Sequence, residues 1–298
     1  MTALIRGRPV LFGEVLFDHF PDGQVVLGGA PFNVAWHLHA FAAAPLLVTR
    51  IGNDPLGRRI RGAMQAWDMD LAGVQLDSAH PTGTVEVHIE NNEPHYDIVE
   101  HSAWDYIDAD ALPPINNAAL LYHGSLAIRS PVSCQTLQTL RTTLGVPTFV
   151  DINLRPPWWQ QDDIRRQIEA ARWLKLNEDE LNTLTSAPGK LAQRADSLQQ
   201  ALGLDLLITT LGAAGVVAHA NDGRSVQVAP EPTDNLVDTV GAGDAFASVV
   251  ILGLLRNWQL DEMLHRAQDF ASAIVEIRGA TPDKREFYTR FLEDWKLT

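Results

Sequence analysis

Apolar residues along this chain fall into two spacings. Short runs of Val, Leu, Ile and Phe recur at 9–17, 46–51, 120–123, 148–152, 173–176, 206–210 and 215–219. Uninterrupted runs of that length suit strands buried on both faces. Between them, apolar positions three and four apart predict helices at 31–44, 58–68, 131–144, 162–171, 178–185, 191–202, 242–256, 260–277 and 282–295. Strands alternating with helices imply an α/β fold, a parallel sheet joined by helical crossovers. Residues 84–100 break the rhythm: TVEVHIENNEPHYDIVE alternates β-branched and polar positions around Asn91-Asn92-Glu93-Pro94. That pattern predicts an antiparallel hairpin with one solvated face, and 24–27 is a candidate to pair with it. No repeat or linker interrupts the 298 residues. The expectation is one domain over 1–298, carrying a small β lid built from about 18–30 and 81–103.

Composition narrows the function classes. A chain with 46% hydrophobic and 20% charged residues is an ordinary globular protein. The 23 basic and 37 acidic side chains give a net charge of −14, a field that repels nucleic acid and anionic membranes. No apolar run approaches the roughly 18 residues of a membrane span. No secretory leader is read in the first residues, so the cytoplasm is the expected compartment. The single cysteine, Cys134, excludes an internal disulfide. An acidic protein can still hold an anion in a nest of backbone N–H groups.

Such a nest is predicted at Asp238-Thr239-Val240-Gly241-Ala242-Gly243-Asp244-Ala245-Phe246, which runs into an apolar helix. Small residues at 241–243 let successive amides point at one spot, and the helix dipole adds positive potential there. Asp244, in the first helical turn, would face the same spot. An acid at a helix start is also a common stabilising device. Neither common nucleotide loop is present: there is no G-x-x-x-x-G-K-[ST], and 241–246 lacks the third glycine of the dinucleotide fingerprint.

In context, the segment resembles the C-terminal signature of the ribokinase-like (PfkB) carbohydrate kinases. Four further motifs stand in that family's order. The N-terminal one is Gly28-Gly29-Ala30-Pro31-Phe32-Asn33-Val34-Ala35, followed by Arg50-Ile51-Gly52-Asn53-Asp54-Pro55-Leu56-Gly57. Asp151-Ile152-Asn153-Leu154-Arg155, Asn177-Glu178-Asp179-Glu180 and Thr210-Leu211-Gly212-Ala213-Ala214-Gly215 come next. The sub-patterns GGAPFN, PTGTV at 81–85 and AWDYI at 103–107 are most similar to those of fructokinases. The resemblance implies a three-layer α/β/α fold with a mainly parallel central sheet, and ATP-dependent phosphorylation of a sugar hydroxymethyl group, with fructose the first choice.

By the same resemblance, Asp244 is the catalytic base, the amides of Gly241, Ala242 and Gly243 form an anion hole, and Arg155 reaches a phosphate. Asp18, Gly28, Gly29 and Asn33 would hold the sugar. Physical reasoning adds that Asp18 ends a predicted parallel strand, where α/β folds place ligands. Asn177 and Glu180 would organise Mg²⁺ through water, and the same pair could simply cap a helix. Thr210, Gly212 and Gly215 would line the nucleotide's phosphates and ribose, and Ala271 and Ser272 its adenine. Asp238 and the Val240 carbonyl would begin a K⁺ site completed by 278–281. Another sugar, a sugar acid or a nucleoside remains open as acceptor, as does a non-catalytic sugar-binding role. A homodimer through the lid is expected.

Overall fold

The computed structural model describes residues 6–90, 93–185, 188–231 and 235–297. The first apolar run divides. β1 (Arg8–Phe12) enters the large sheet, and β2 (Leu16–His19) enters a second sheet with β3 (Val25–Gly28). The bend is at Gly13, whose φ is +148° and where a Cβ would lie 2.5 Å from Pro31 Cγ. Only glycine tolerates both demands. The continuous strand expected over 9–17 is therefore wrong, and Asp18 belongs to a strand of the second sheet.

After α1 (Ala30–Ala40), the chain adds β4 (Leu46–Gly52), α2 (Pro55–Ala66) and β5 (Val74–Asp77). Helix α2 starts three residues earlier than its apolar pattern suggests, because Asp54 caps it: Gly57 N donates to Oδ1 at 2.8 Å. The expected hairpin is β6 (Gly83–Glu90) and β7 (Glu93–Ile98), antiparallel; its predicted turn residues Asn91 and Asn92 lie outside the described residues. The second sheet runs β3-β2-β6-β7.

The remaining chain restores the alternation through β8 (Ala118–His123), α3 (Pro131–Leu144), β9 (Thr148–Asp151), α4 (Gln161–Glu169) and β10 (Trp173–Asn177). Then follow α5 (Glu178–Leu184), α6 (Leu191–Leu202), β11 (Leu206–Thr210), β12 (Val216–Ala220) and β13 (Ser225–Val228). The last three elements are helices α7 (Ala242–Arg256), α8 (Leu260–Ile274) and α9 (Glu286–Asp294). Strand order in the large sheet is β13-β12-β11-β10-β9-β8-β1-β4-β5, parallel from β11 to β5 and antiparallel at β12 and β13. Sequence periodicity missed β5 and β13, four-residue strands whose polar positions break any apolar run.

Strand residues alternate between two apolar layers. Leu11, Leu47, Tyr122 and Ile208 face α1, α2, α7, α8 and α9. Val10 and Leu121 face α3, while Val150 and Leu174 face α4 and α6. Helix α7 is buried without a break from Ala245 to Gly253, so it is apolar all round and runs through the core. Its burial pins its N-terminus at one place, against the C-terminal ends of the parallel strands.

Phe270 of α8 is fully buried and meets Phe41, Phe291 and His37 edge-on, each with centroids 5.0 Å apart. Phe270→Ala should cost about 3–5 kcal/mol of unfolding free energy, read as a lower denaturation midpoint in urea.

Candidate active site

Three chain segments converge on a cavity of about 420 Å³ between the two sheets. The first is the β1–β2 bend with the start of α1. Gly29 caps α1 at φ +109°, and a Cβ there would sit 2.7 Å from the Glu14 carbonyl oxygen. That close approach lets Asn33, in the first turn, reach the cavity. Its Nδ2 donates to Asp244 Oδ2 at 2.7 Å. Gly28 and Asp18 line the same wall; an added Cβ at Gly28 would lie 3.3 Å from Asp18 Oδ2.

The second segment is the start of α7. Gly241 has φ +82°, with Ala280 so close that a Cβ would lie 2.3 Å from its Cβ. The amides of Gly241 and Gly243 have no partner among the described residues. The Ala242 amide closes a turn onto the Thr239 carbonyl at 3.4 Å, a long bond, and Ala242 does not border the cavity. Asp244 does. Burial pushes its carboxyl up to about 6, against the lowering effect of the Asn33 hydrogen bond.

The third segment holds a pair that sequence did not join: Asp151 opens one of the motifs, but Lys175 was not singled out. Asp151 and Lys175 are directly paired residues of the parallel strands β9 and β10. Both are buried, and the Lys175 ammonium donates to the two Asp151 oxygens at 2.9 and 2.8 Å. Burial alone would discharge Lys175, but Asp151 outweighs it and the pKa is raised. One N–H of three stays uncommitted among the described residues, and Nζ lies 3.5 Å from where a Gly243 Cβ would be. A buried cation thus sits under the glycine turn. Arg155, exposed, supplies a second positive charge at the cavity's edge. Periodicity could not find the Asp151–Lys175 pair, since strand register creates it. Glu14 also went unmarked; it is buried in the bend, lines the cavity, and burial pushes its carboxyl up to about 7. Asp18 is likewise raised to about 6, chiefly by burial. Asp18 lies one residue before the end of β2, which pairs parallel with β6 and antiparallel with β3; the strand belongs to the second sheet and not to the large parallel one.

Apart from Val240, the other predicted residues do not line this cavity. Asn177 and Glu180 form a reciprocal cap on α5: Glu180 N donates to Asn177 Oδ1 and Asn177 N to Glu180 Oε2, each at 2.8 Å. Leu154 N donates to Glu180 Oε1 at 2.7 Å. Each carboxylate oxygen keeps one lone pair, so the cap leaves Glu180 able to meet an ion or its water. Thr210 pairs in register with Asn177 at the ends of β11 and β10. Gly212 and Gly215, with φ +56° and +90°, form the turn that follows. Ala271 packs in the core, and Ser272 is half-buried near Gln268. Asp238 ties two loops together, accepting from Val240 N at 3.0 Å and Gly279 N at 3.2 Å. Val240 lines the cavity. Trp104 is buried in the core, away from the cavity.

A cavity at strand C-termini, with a glycine turn opening a buried helix and an acid beside it, describes a phosphotransferase site of the ribokinase type. The chain belongs to the pfkB family of carbohydrate kinases, whose model matches residues 11–286. It is 30% identical to a fructokinase from Klebsiella pneumoniae over 284 residues, 90% of this chain and 91% of that protein. Among solved structures it is similar to a fructokinase double mutant from Vibrio cholerae O395 bound to fructose, ADP and potassium ion. That match has a TM-score of 0.81 and 22% identity, covering 95% of this chain and 98% of the other. It is also similar to aminoimidazole riboside kinase from Salmonella enterica complexed with aminoimidazole riboside and an ATP analog. There the TM-score is 0.79 and the identity 25%, over 95% and 99% of the two chains. The protein is an ATP-dependent sugar kinase. No helix among the described residues is long and apolar enough to cross a membrane.

Because Gly241 combines positive φ with contact against Ala280, Gly241→Ala should lower stability by about 1–2 kcal/mol. It should also reduce turnover more than it raises KM for ATP. Thermal unfolding and steady-state kinetics on the same preparation check both.

Proposed function

We propose that this kinase transfers the γ-phosphoryl group of ATP to a hydroxymethyl oxygen of fructose, with Asp244 as general base. One observation carries the reading: Asp244 stands beside the open glycine turn with Oδ2 held by Asn33. That leaves Oδ1 free, among the described residues, to accept a hydroxyl proton. The acceptor oxygen attacks phosphorus as its proton passes to Asp244, the new O–P bond forms in line, and ADP departs with the broken bond's electrons. A loose transition state asks little of the base and much of the groups that receive negative charge. Those groups are the Gly241 and Gly243 amides, the helix dipole and the spare N–H of Lys175.

Mg²⁺ on the phosphates would neutralise charge as they bind, with Glu180 and Asn177 ordering its water. A monovalent cation, K⁺ by preference, would sit by Asp238 and the Val240 carbonyl and stiffen the turn before α7. The sheet of β3, β2, β6 and β7 would act as a lid, excluding water so that ATP is not hydrolysed. Asp18, Gly28, Gly29 and Asn33 would take the sugar hydroxyls; Arg155 would meet a phosphate. Thr210, Gly212 and Gly215 would meet the nucleotide, with adenine toward Ala271 and Ser272. Four carboxyl groups around the cavity, against two cations, disfavour an anionic sugar acid. Tyr96 of β7 borders the cavity, an aromatic face that could suit a riboside's base, so nucleosides belong in the test.

A panel of fructose, other sugars and ribosides, assayed for ADP release with and without K⁺, should give the highest kcat/KM for fructose. A riboside preference would replace that assignment. Asp244→Asn should keep sugar and ATP binding while kcat falls by about 100- to 10,000-fold. In the native enzyme kcat/KM should fall as pH drops below about 6, because the raised Asp244 carboxyl is then protonated and cannot accept. Turnover that survives in the Asn variant removes Asp244 as base.

The strands β3 and β7 form the edges of the second sheet, and unpaired edges invite pairing. A homodimer joined through these lids is therefore proposed. Sedimentation velocity should give about twice the 32.8 kDa chain mass; a monomer at all concentrations would exclude it.

A further inference from the structure

Two buried oxygen atoms beside the base have no hydrogen-bond partner: Oε2 of Glu14 and Oδ1 of Asn33. Both oxygens are closed to solvent although Glu14 and Asn33 border the cavity, and Asn33 keeps the second N–H of its Nδ2 for a sugar hydroxyl. Two acceptors cannot satisfy one another, and buried polar atoms are rarely left unpaired. Gly29, which caps α1, brings the two residues together. It lies so close to the bend that a Cβ there would stand 2.7 Å from the Glu14 carbonyl oxygen, and its own carbonyl accepts from Asn33 N at 2.8 Å.

We infer that Glu14 carries a proton on Oε2 and donates it to Asn33 Oδ1, making Glu14 a positioning residue for the base. This inference rests on Asp244 being that base. One hydrogen satisfies both stranded oxygens. It also decides which way the Asn33 amide faces, since an Asn side chain can turn its oxygen and nitrogen end for end. With Oδ1 held by Glu14, Nδ2 must point at Asp244 Oδ2. The result is a chain, Glu14 to Asn33 to Asp244, that anchors one oxygen of the base and offers the other to the acceptor hydroxyl.

The chain works only while Glu14 keeps its proton. Burial dominates in holding it, Asp244 from α7 adds to that, and Arg155 beyond β9 opposes it, leaving a midpoint of about 7. Tyr122 of β8 also faces Glu14, and Asp151 and Lys175 border the same cavity. Once ionised, Glu14 confronts Asn33 Oδ1 with a second acceptor; the amide turns, and Asp244 loses its donor. The free enzyme should thus gain activity as Asp244 ionises and lose it again as Glu14 does.

The test is kcat and kcat/KM over about pH 5–9 for the native enzyme, Glu14→Gln and Glu14→Leu. The native kcat/KM should be bell-shaped with its falling limb near 7. Glu14→Gln keeps an N–H donor toward Asn33; it should turn over and lack that limb. Glu14→Leu should lose about tenfold in kcat, the usual scale of one lost hydrogen bond, with sugar KM changed less than about twofold. A native profile flat above pH 7, or a falling limb retained in Glu14→Gln, overturns the inference. If Glu14→Leu fails to fold, the other two profiles still decide. Failure of the base assignment is separate, since it shows as turnover in Asp244→Asn.

Discussion

The hydrogen bond from Asn33 to Asp244 ties the N-terminus of α1 to the N-terminus of α7 across 211 positions of chain. Nearly everything that positions the site follows from bringing those two helix starts together. Each helix is buried deeply enough to be fixed, α1 by Phe32, Val34 and Leu38, α7 along Ala245–Gly253. Each begins with a glycine at positive φ whose Cβ would strike backbone or a neighbouring side chain, Gly29 against Glu14 and Gly241 against Ala280. The helices therefore supply rigidity and the glycines supply close approach, and the two cannot be exchanged.

Charge in the cavity is balanced narrowly. Glu14, Asp18, Asp244 and Asp151 face two cations, Lys175 and Arg155. An anionic phosphate chain entering such a place needs local positive potential. Lys175 provides it where flexibility is least, because Asp151 holds its ammonium from below while a free N–H remains above. The same crowding explains why the carboxyls of Glu14, Asp18 and Asp244 all ionise late: burial penalises each charge, and the acids add to one another's cost. A carboxylate with a raised pKa is a stronger base, so the burial that makes the site costly would also serve the proposed proton transfer to Asp244.

The chain passes between the nine-stranded and the four-stranded sheet at several points, after β1, β3, β5 and β7. The shortest of these crossings is the bend at Gly13 to Val15, and Glu14 sits in it, so a buried carboxyl group lining the cavity is held at the junction of the two sheets.

Local pattern determined a good deal. Buried strands and amphipathic helices left apolar runs and three-four spacing, so most elements of the large sheet, the hairpin and the helix crossovers were legible. Short motifs also carried the glycine turn, Asp244 and Asn33, because tight turns and helix starts are written in neighbouring residues. Other features were not local. The split of 9–17 into two sheets depended on contact between Gly13 and Pro31, and β5 and β13 were too short and polar to register. Asp151 meets Lys175 only through strand register, and Glu14 acquires its raised pKa only by being enclosed. Periodicity reports what a residue does to its neighbours in sequence, whereas electrostatics and register depend on distances that the assembled fold alone creates.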